Sequence, residues 1–398
     1  MKKILIIEDD QVVASIYRNK FSAEGFRVEV AFDGESGFEL IESFHPDVVI
    51  LDLMLPRITG LDLLKRVRAK AGLAQLPIIV FSNTYLSNMV QDAWKAGATK
   101  CLSKANCTPK QVIEIVRSLV SPAAPAAPGA APAGAATPAD APATPESDAD
   151  NAFQSELRQS FIASLPGVLA TSRIILQTLA RTQDEPNRVK QLQELYRRIH
   201  SLTGNAGIAG MLEIALMADA VEALVKELYE KPKNINASTL RTVALAVDFL
   251  GVLFDRAKLP EAHAAQAPLK AEILVVDDEA ISRRAITYAL EKARLQAASV
   301  ENPEIALQML AEKSFDLVFL DVDMPGMNGF ELCTKLRAMA RNKSTPVVFV
   351  TSLTDFESRA NSTMSGGNDL IAKPFLFIEL TVKSLVYILR GRIANAKK

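Results

Sequence analysis

Short runs without a polar residue alternate along this chain with stretches whose apolar residues recur every three to four positions. ILII (residues 4–7), VVIL (48–51) and IIVF (78–81) are apolar at every position, as strands buried on both faces should be. Between them lie helical patterns such as GESGFELIESF and GLDLLKRVRAK. The middle of the chain has no such runs. LQELYRRIHSL and LEIALMADAVEALVKEL carry apolar residues at a spacing near 3.6, so that region reads as helical throughout. Pro166, Pro186, Gly204, Gly207 and Pro232 punctuate it, which predicts four or five helices in an up-and-down bundle.

The first and last parts of the chain repeat each other. KKILIIEDD resembles AEILVVDDE, HPDVVILDLMLPRITGLDLLKRVR resembles SFDLVFLDVDMPGMNGFELCTKLR, and LPIIVFSN resembles TPVVFVTS. Glu8 pairs with Asp277, Asp52 with Asp321, Ser82 with Thr351 and Lys104 with Lys373, each pair separated by 269 residues. Five β/α units in each copy predict a doubly wound parallel sheet with helices on both faces. Residues 121–150 are almost entirely Ala, Pro, Gly and Thr, ending in acids, and predict an extended, mobile tether. A second linker is expected over 258–270. The bodies that remain are 1–120, 151–257 and 271–398.

Composition narrows the class without deciding it. Of 398 residues, 49% are apolar and 23% charged, a globular balance, and the net charge of −1 offers no basic surface for nucleic acid or anionic lipid. Cys101, Cys107 and Cys333 have neither metal-ligand nor disulfide-framework spacing, which points to a reducing cytoplasm. The apolar run after Lys3 is too short for a cleavable signal, and no membrane span is expected from the apolar runs.

The chemistry lies at the strand ends. Ligands of a parallel α/β sheet sit beyond the carboxyl ends of its strands. Glu8, Asp9, Asp52, Ser82 and Lys104 should meet there in the first copy, and Asp277, Asp278, Asp321, Thr351 and Lys373 in the second. Three clustered carboxylates make a hard oxygen pocket suited to Mg2+, and a nearby lysine and hydroxyl suit phosphoryl oxygens. The central aspartate is then a nucleophile for phosphoryl transfer.

This constellation resembles the receiver domain of bacterial response regulators, a flavodoxin-like (βα)5 fold, over nearly all of both outer bodies. By that resemblance Asp52 and Asp321 accept phosphate. Asp9 and Asp278 bind Mg2+ directly, Glu8 and Asp277 assist through water, and the carbonyls of Met54 and Asp323 complete the shell. Two departures stand out. Lys104 is followed by Ala105, whereas Lys373 is followed by the usual Pro374, and Cys101 and Leu370 occupy the place of the family's aromatic switch. The second receiver is therefore expected to be the more conventional acceptor.

His200, in YRRIHSLTGNAGIAGM, has Gly204 four residues on along the same helix face, which leaves the imidazole uncovered, and Arg197 and Arg198 nearby. The stretch resembles the histidine phosphotransfer (HPt) domain, and AVEALVKEL resembles that family's second inward-facing helix. Thr203 replaces the family lysine. His45 and His263 read as solvated. The whole implies phosphorelay signalling, with a sensor histidine kinase as donor and other receiver or HPt proteins as further partners. No body remains for an ATP-binding kinase domain or a helix-turn-helix for DNA. SGGND (365–369) is a weak echo of a nucleotide cyclase, and an adaptor with degenerate receivers is the rival reading.

Overall fold

A computed structural model describes residues 1–82, 89–104, 107, 109–120, 148–259, 269–352 and 362–395. Most of both expected linkers, His263 and Ala105 lie outside the described residues. The chain divides into two compact units. The first receiver belongs to one. Leu165–Thr203 and Glu213–Lys398, hence most of the helical region and the second receiver, make up the other.

The N-terminal domain runs β1 (Lys3–Ile7), α1 (Gln11–Ala23), β2 (Arg27–Ala31), α2 (Gly34–Phe44), β3 (Val48–Leu51), α3 (Gly60–Ala69), β4 (Ile78–Ser82), α4 (Met89–Lys95), β5 (Lys100–Ser103), α5 (Pro109–Val120). All strands pair in parallel in the order β2-β1-β3-β4-β5. The central strands are apolar on both faces because helices cover both. Leu5, Ile7, Val49 and Leu51 enter one core, and Ile4, Ile6, Val48 and Ile50 the other.

The C-terminal domain repeats this. It runs β6 (Ile273–Val276), α10 (Ala280–Lys292), β7 (Ala297–Val300), α11 (Pro303–Glu312), β8 (Leu317–Leu320), α12 (Gly329–Ala338), β9 (Val347–Thr351), β10 (Asp369–Ala372) and, last, α13 (Phe377–Asn395). The strand order, β10-β9-β8-β6-β7, is the same order read from the other edge. The repeat extends to fine detail. Arg68 donates to the carbonyl of Gly97, and Arg337 to that of Gly366, and both glycines have positive φ. Two flavodoxin-like receivers therefore flank a helical region, as the pattern of the sequence predicts.

That region comprises α6 (Asp148–Arg181), α7 (Glu185–Ile208), α8 (Leu212–Glu230), a 3-10 turn at Pro232–Asn234 and α9 (Ala237–Ala257). Pro166 falls inside α6, and Gly204 and Gly207 inside α7, so these residues do not punctuate the helices as expected. Buried Phe161, Leu165 and Leu169 carry α6 through the proline, and Ile199, Leu202 and Ala206 carry α7 through its glycines. Packing outweighs local propensity here.

One expectation from the sequence needs correction. Leu157–Arg181 and Ala237–Ala257 are long and apolar enough, by composition, to cross a membrane. No uninterrupted apolar run marks them because polar residues are interspersed. Burial is partial in both. In α6 the buried positions Phe161, Leu165, Leu169, Ser172 and Leu179 form one stripe, and in α9 Val243, Ala246, Val247, Leu250 and Phe254 are buried.

Candidate functional site: two acidic pockets and a held histidine

Four of the five strands of the first sheet each deliver one group to the same edge. Glu8 follows β1, Asp52 follows β3, Ser82 ends β4 and Lys104 follows β5. The Lys104 ammonium lies 2.6 Å from a Glu8 oxygen and 2.5 Å from Asp52 Oδ2. Lys104 and Asp52 are each 1% exposed and Glu8 is 3% exposed, so the triad is dry. Burial pushes the Glu8 carboxyl up to about 8, against the pull of Lys104 and with help from Asp52 and Asp9. Burial works against the charged Lys104, but Asp52 and Glu8 outweigh it and raise its pKa. Asp9 is exposed, with a carboxylate oxygen within 4.8 Å of one on Asp52. Its neighbour Asp10 is used structurally, capping α1 through the amides of Val12 and Val13.

The second pocket is a close copy. Lys373 Nζ lies 2.8 Å from Asp277 Oδ2 and 2.8 Å from Asp321 Oδ2. Oxygens of Asp277, Asp278 and Asp321 all lie within 4.8 Å of one another. Three hard oxygen donors at that separation suit a divalent cation such as Mg2+. Asp277 is further held by the Ser282 hydroxyl at 2.5 Å and the Glu279 amide at 2.9 Å. Asp321 Oδ1 accepts from the Val322 amide at 2.7 Å. Burial raises the Asp321 pKa, Lys373 lowers it, and Asp277 raises it again, for a net rise. Thr351, at the end of β9, is fully buried. The two lysines differ in exposure: the side chain of Lys104 is 2% exposed and that of Lys373 is 17%.

Met54 and Asp323 present their amides to the acceptor aspartates, at 3.1 Å from Asp52 Oδ1 and 3.4 Å from Asp321 Oδ1. Cys101 and Leu370, on β5 and β10, are half-buried against the sheet cores. Burial lifts the Cys101 thiol to about 12, which makes it a packing residue with no accessible thiolate.

Two glycines belong to these sites and carry no charge to announce it. A Cβ on Gly60 would sit 1.9 Å from the carbonyl oxygen of Asp52, and one on Gly329 would sit 2.0 Å from that of Asp321. Each glycine lets its following helix start directly against the acceptor's backbone. Their place 269 residues apart in the repeat was the available signal.

In the helical region His200 Nδ1 lies 2.8 Å from Glu222 Oε1, with the Tyr196 hydroxyl 3.3 Å from the same oxygen. The Tyr196 ring stacks on the imidazole at 5.7 Å and 19°. Glu222 is 1% exposed. This contact engages Nδ1 of the ring. The sequence did not single out Glu222, because on α8 it is one acid in a helical pattern rich in them. Asp219, one turn earlier, is also buried. Burial first, then Glu222, raise its pKa well above the usual range, with His200 opposing. Thr203 is buried and its hydroxyl donates to the Ile199 carbonyl at 2.9 Å, so its side chain is turned inward. His45 is exposed at the end of α2.

The model of the response regulator receiver domain matches residues 4–117 and 273–384, more than half of the chain. The chain belongs to the response regulator receiver family. Members take part in two-component signalling by accepting a phosphoryl group on aspartate, typically with Mg2+ in this pocket. The transcriptional regulatory protein ResD of Bacillus subtilis is 37% identical over 117 residues, 29% of this chain and 48% of that protein. The nisin biosynthesis regulatory protein NisR of Lactococcus lactis is 34% identical over 112 residues, 28% of this chain and 48% of that protein. The chain thus spans about half the length of the curated relatives it matches. Among solved structures, the chemotaxis response regulator CheY4 of Vibrio cholerae is 28% identical over 30% of this chain and 99% of that one, with a TM-score of 0.29. The receiver domain of sensor histidine kinase PA1611 of Pseudomonas aeruginosa, solved with magnesium in its active-site cleft, is 24% identical over 30% of this chain and 98% of that one, with a TM-score of 0.29.

Proposed function

We propose that this protein is a phosphorelay intermediate in which Asp52, His200 and Asp321 carry the phosphoryl group. The observation that carries this reading is the held imidazole: a helical histidine fixed through Nδ1 by a buried carboxylate, in a chain with two receiver pockets. A sensor histidine kinase is the donor. An aspartate oxygen of a receiver attacks the phosphorus of a phosphohistidine. The O–P bond forms, the N–P bond breaks, and the imidazole leaves. Lys104 or Lys373, already at the acceptor oxygen, neutralises charge on the transferring group, and the hydroxyl of Ser82 or Thr351 is placed for a phosphoryl oxygen. The acidic oxygens of Asp9 and Asp52, and of Asp277, Asp278 and Asp321, would hold Mg2+, which would supply charge neutralisation there when bound. In the reverse step Nε2 of His200 is the nucleophile. Glu222 keeps the ring oriented and stabilises the cationic phosphohistidine. The three cysteines are unpaired, consistent with a cytoplasmic setting.

The test is labelling with acetyl phosphate and Mg2+, followed by exchange. Asp52→Ala and Asp321→Ala should each remove one acid-stable, base-labile label, and the double variant should remove both. Labelled receiver should pass phosphate to wild-type chain and not to His200→Gln. An adaptor with degenerate receivers stays unlabelled. Equal exchange by wild type and His200→Gln removes the relay.

A further inference from the structure

The last helices of the two receivers hold the same place in the repeat and are buried differently. In α5, buried Val112, Ile113, Val116 and Val120 alternate with exposed Gln111, Glu114, Arg117 and Ser118. That is a helix with one side on a sheet. In α13 every residue from Glu379 to Leu389 is buried. The residues 269 positions on from the four exposed ones are Leu380, Lys383, Val386 and Tyr387. A helix sealed on all sides needs a second cover besides its own sheet.

Part of that cover is α9, in the same compact unit. The Ser238 and Thr242 hydroxyls donate to Glu379 Oε1 at 2.7 and 2.9 Å. Glu379 is 3% exposed, a burial that is costly for a carboxylate unless donors reach it. Further along both helices, the Arg390 guanidinium lies 5.2 Å from the centre of the Phe249 ring. Ser238, Thr242 and Phe249 fall on one stripe of α9, and Glu379 and Arg390 are three turns apart on α13, so the helices run side by side in the same direction. Of the four matching positions, Lys383 and Tyr387 are covered from the sheet edge, donating to Asp369 of β10 at 2.6 and 3.2 Å, and α10 adds a contact from the Ala289 carbonyl to the Thr381 hydroxyl at 3.3 Å.

We propose that the outer face of α13 is a dock dedicated to α9. Helix α9 then travels with the second receiver as one body, and this face is closed to outside partners, including a second copy of the chain. The dock does not depend on whether any residue is phosphorylated.

The experiment is hydrogen exchange by mass spectrometry on the full chain, without phosphodonor. Thr242→Glu sets a second carboxylate against buried Glu379. Peptides of α13 and α9 should then exchange at least about tenfold faster, while those of β6 and β8 keep the wild-type rate. Adding Glu379→Lys replaces the repulsion with an ion pair and should restore both helices to within about twofold of wild type. Unchanged exchange in Thr242→Glu overturns the dock. So does a failure of the double variant to restore protection, because the single change would then have acted on the folding of α9 alone.

Discussion

Replacing the pocket lysines by methionine should destabilise the two receivers unequally. Methionine keeps most of the volume and removes the charge. In the first receiver Lys104→Met leaves Glu8 and Asp52 facing each other at 3% and 1% exposure. Breaking a buried pair by deleting one partner costs about 3–5 kcal/mol; Asp52 keeps the Met54 amide at 3.1 Å, while Glu8 loses the Lys104 ammonium at its carboxylate. In the second receiver Asp277 retains the Ser282 hydroxyl and the Glu279 amide, and Asp321 retains the Val322 amide. Lys373 is also partly wet, at 17% side-chain exposure, so its pairs are more screened. Lys373→Met should therefore cost only about 1.5–3 kcal/mol, the range for a hydrogen bond to a charged group. At about 1.4 kcal/mol per tenfold, the slowest amides of β1 and β3 should exchange roughly 100- to 3000-fold faster in Lys104→Met. Those of β6 and β8 should exchange roughly 10- to 100-fold faster in Lys373→Met. Hydrogen exchange on the full chain in chelator reads both domains at once. Equal losses, or a larger loss in the second receiver, would refute the assignment of the first triad as the drier and more dependent one.

Gly60→Ala and Gly329→Ala each force a Cβ onto an acceptor's carbonyl oxygen and should cost about 1–3 kcal/mol and slow acetyl-phosphate labelling of the same domain. Gly72→Ala, whose Cβ meets nothing within 4 Å, should leave labelling unchanged. Glu222→Ala should slow phosphotransfer at His200 by roughly tenfold or more, and the ring's 15N spectrum should shift from one Nδ1–H tautomer to a mixture. An unchanged spectrum would remove Glu222 as a positioning residue. The raised pKa of Glu8, about 8, carries a pH signature. Folding favours the protonated form, so this contribution to stability is full below the ordinary carboxyl value and is lost as pH rises through about 8. In metal-free buffer the first receiver should weaken between about pH 5 and pH 8, and Glu8→Gln should flatten the curve. Chemical unfolding across that range checks it. Asp33 and Asp47, whose pKa values are lowered, do not titrate in that window.

The sequence by itself determined the two sheets and the place of their chemistry. Strands apolar on both faces have one stable setting, between two layers of helix, and a right-handed βα path then brings the residues after β1, β3, β4 and β5 to one edge. Glu8, Asp52, Ser82 and Lys104 could be placed there from order alone, and the copy 269 residues on repeated the placement. Tertiary structure decided what local pattern leaves open. The helical propensities of Pro166, Gly204 and Gly207 argue for breaks, yet packing around them is worth more than the local cost. Gly60 and Gly329 carry no charge to mark them in the sequence, and only the approach of the acceptor's backbone shows why a methyl group is excluded. Glu222 acquires a role only when α8 lies against α7 and its carboxylate meets His200 across 22 positions of sequence. Likewise, α13 is sealed where α5 is two-sided, because burial depends on which helix covers the outer face. The partner Ser238 supplies to Glu379 lies 141 residues away in the chain, a distance over which no periodicity carries information.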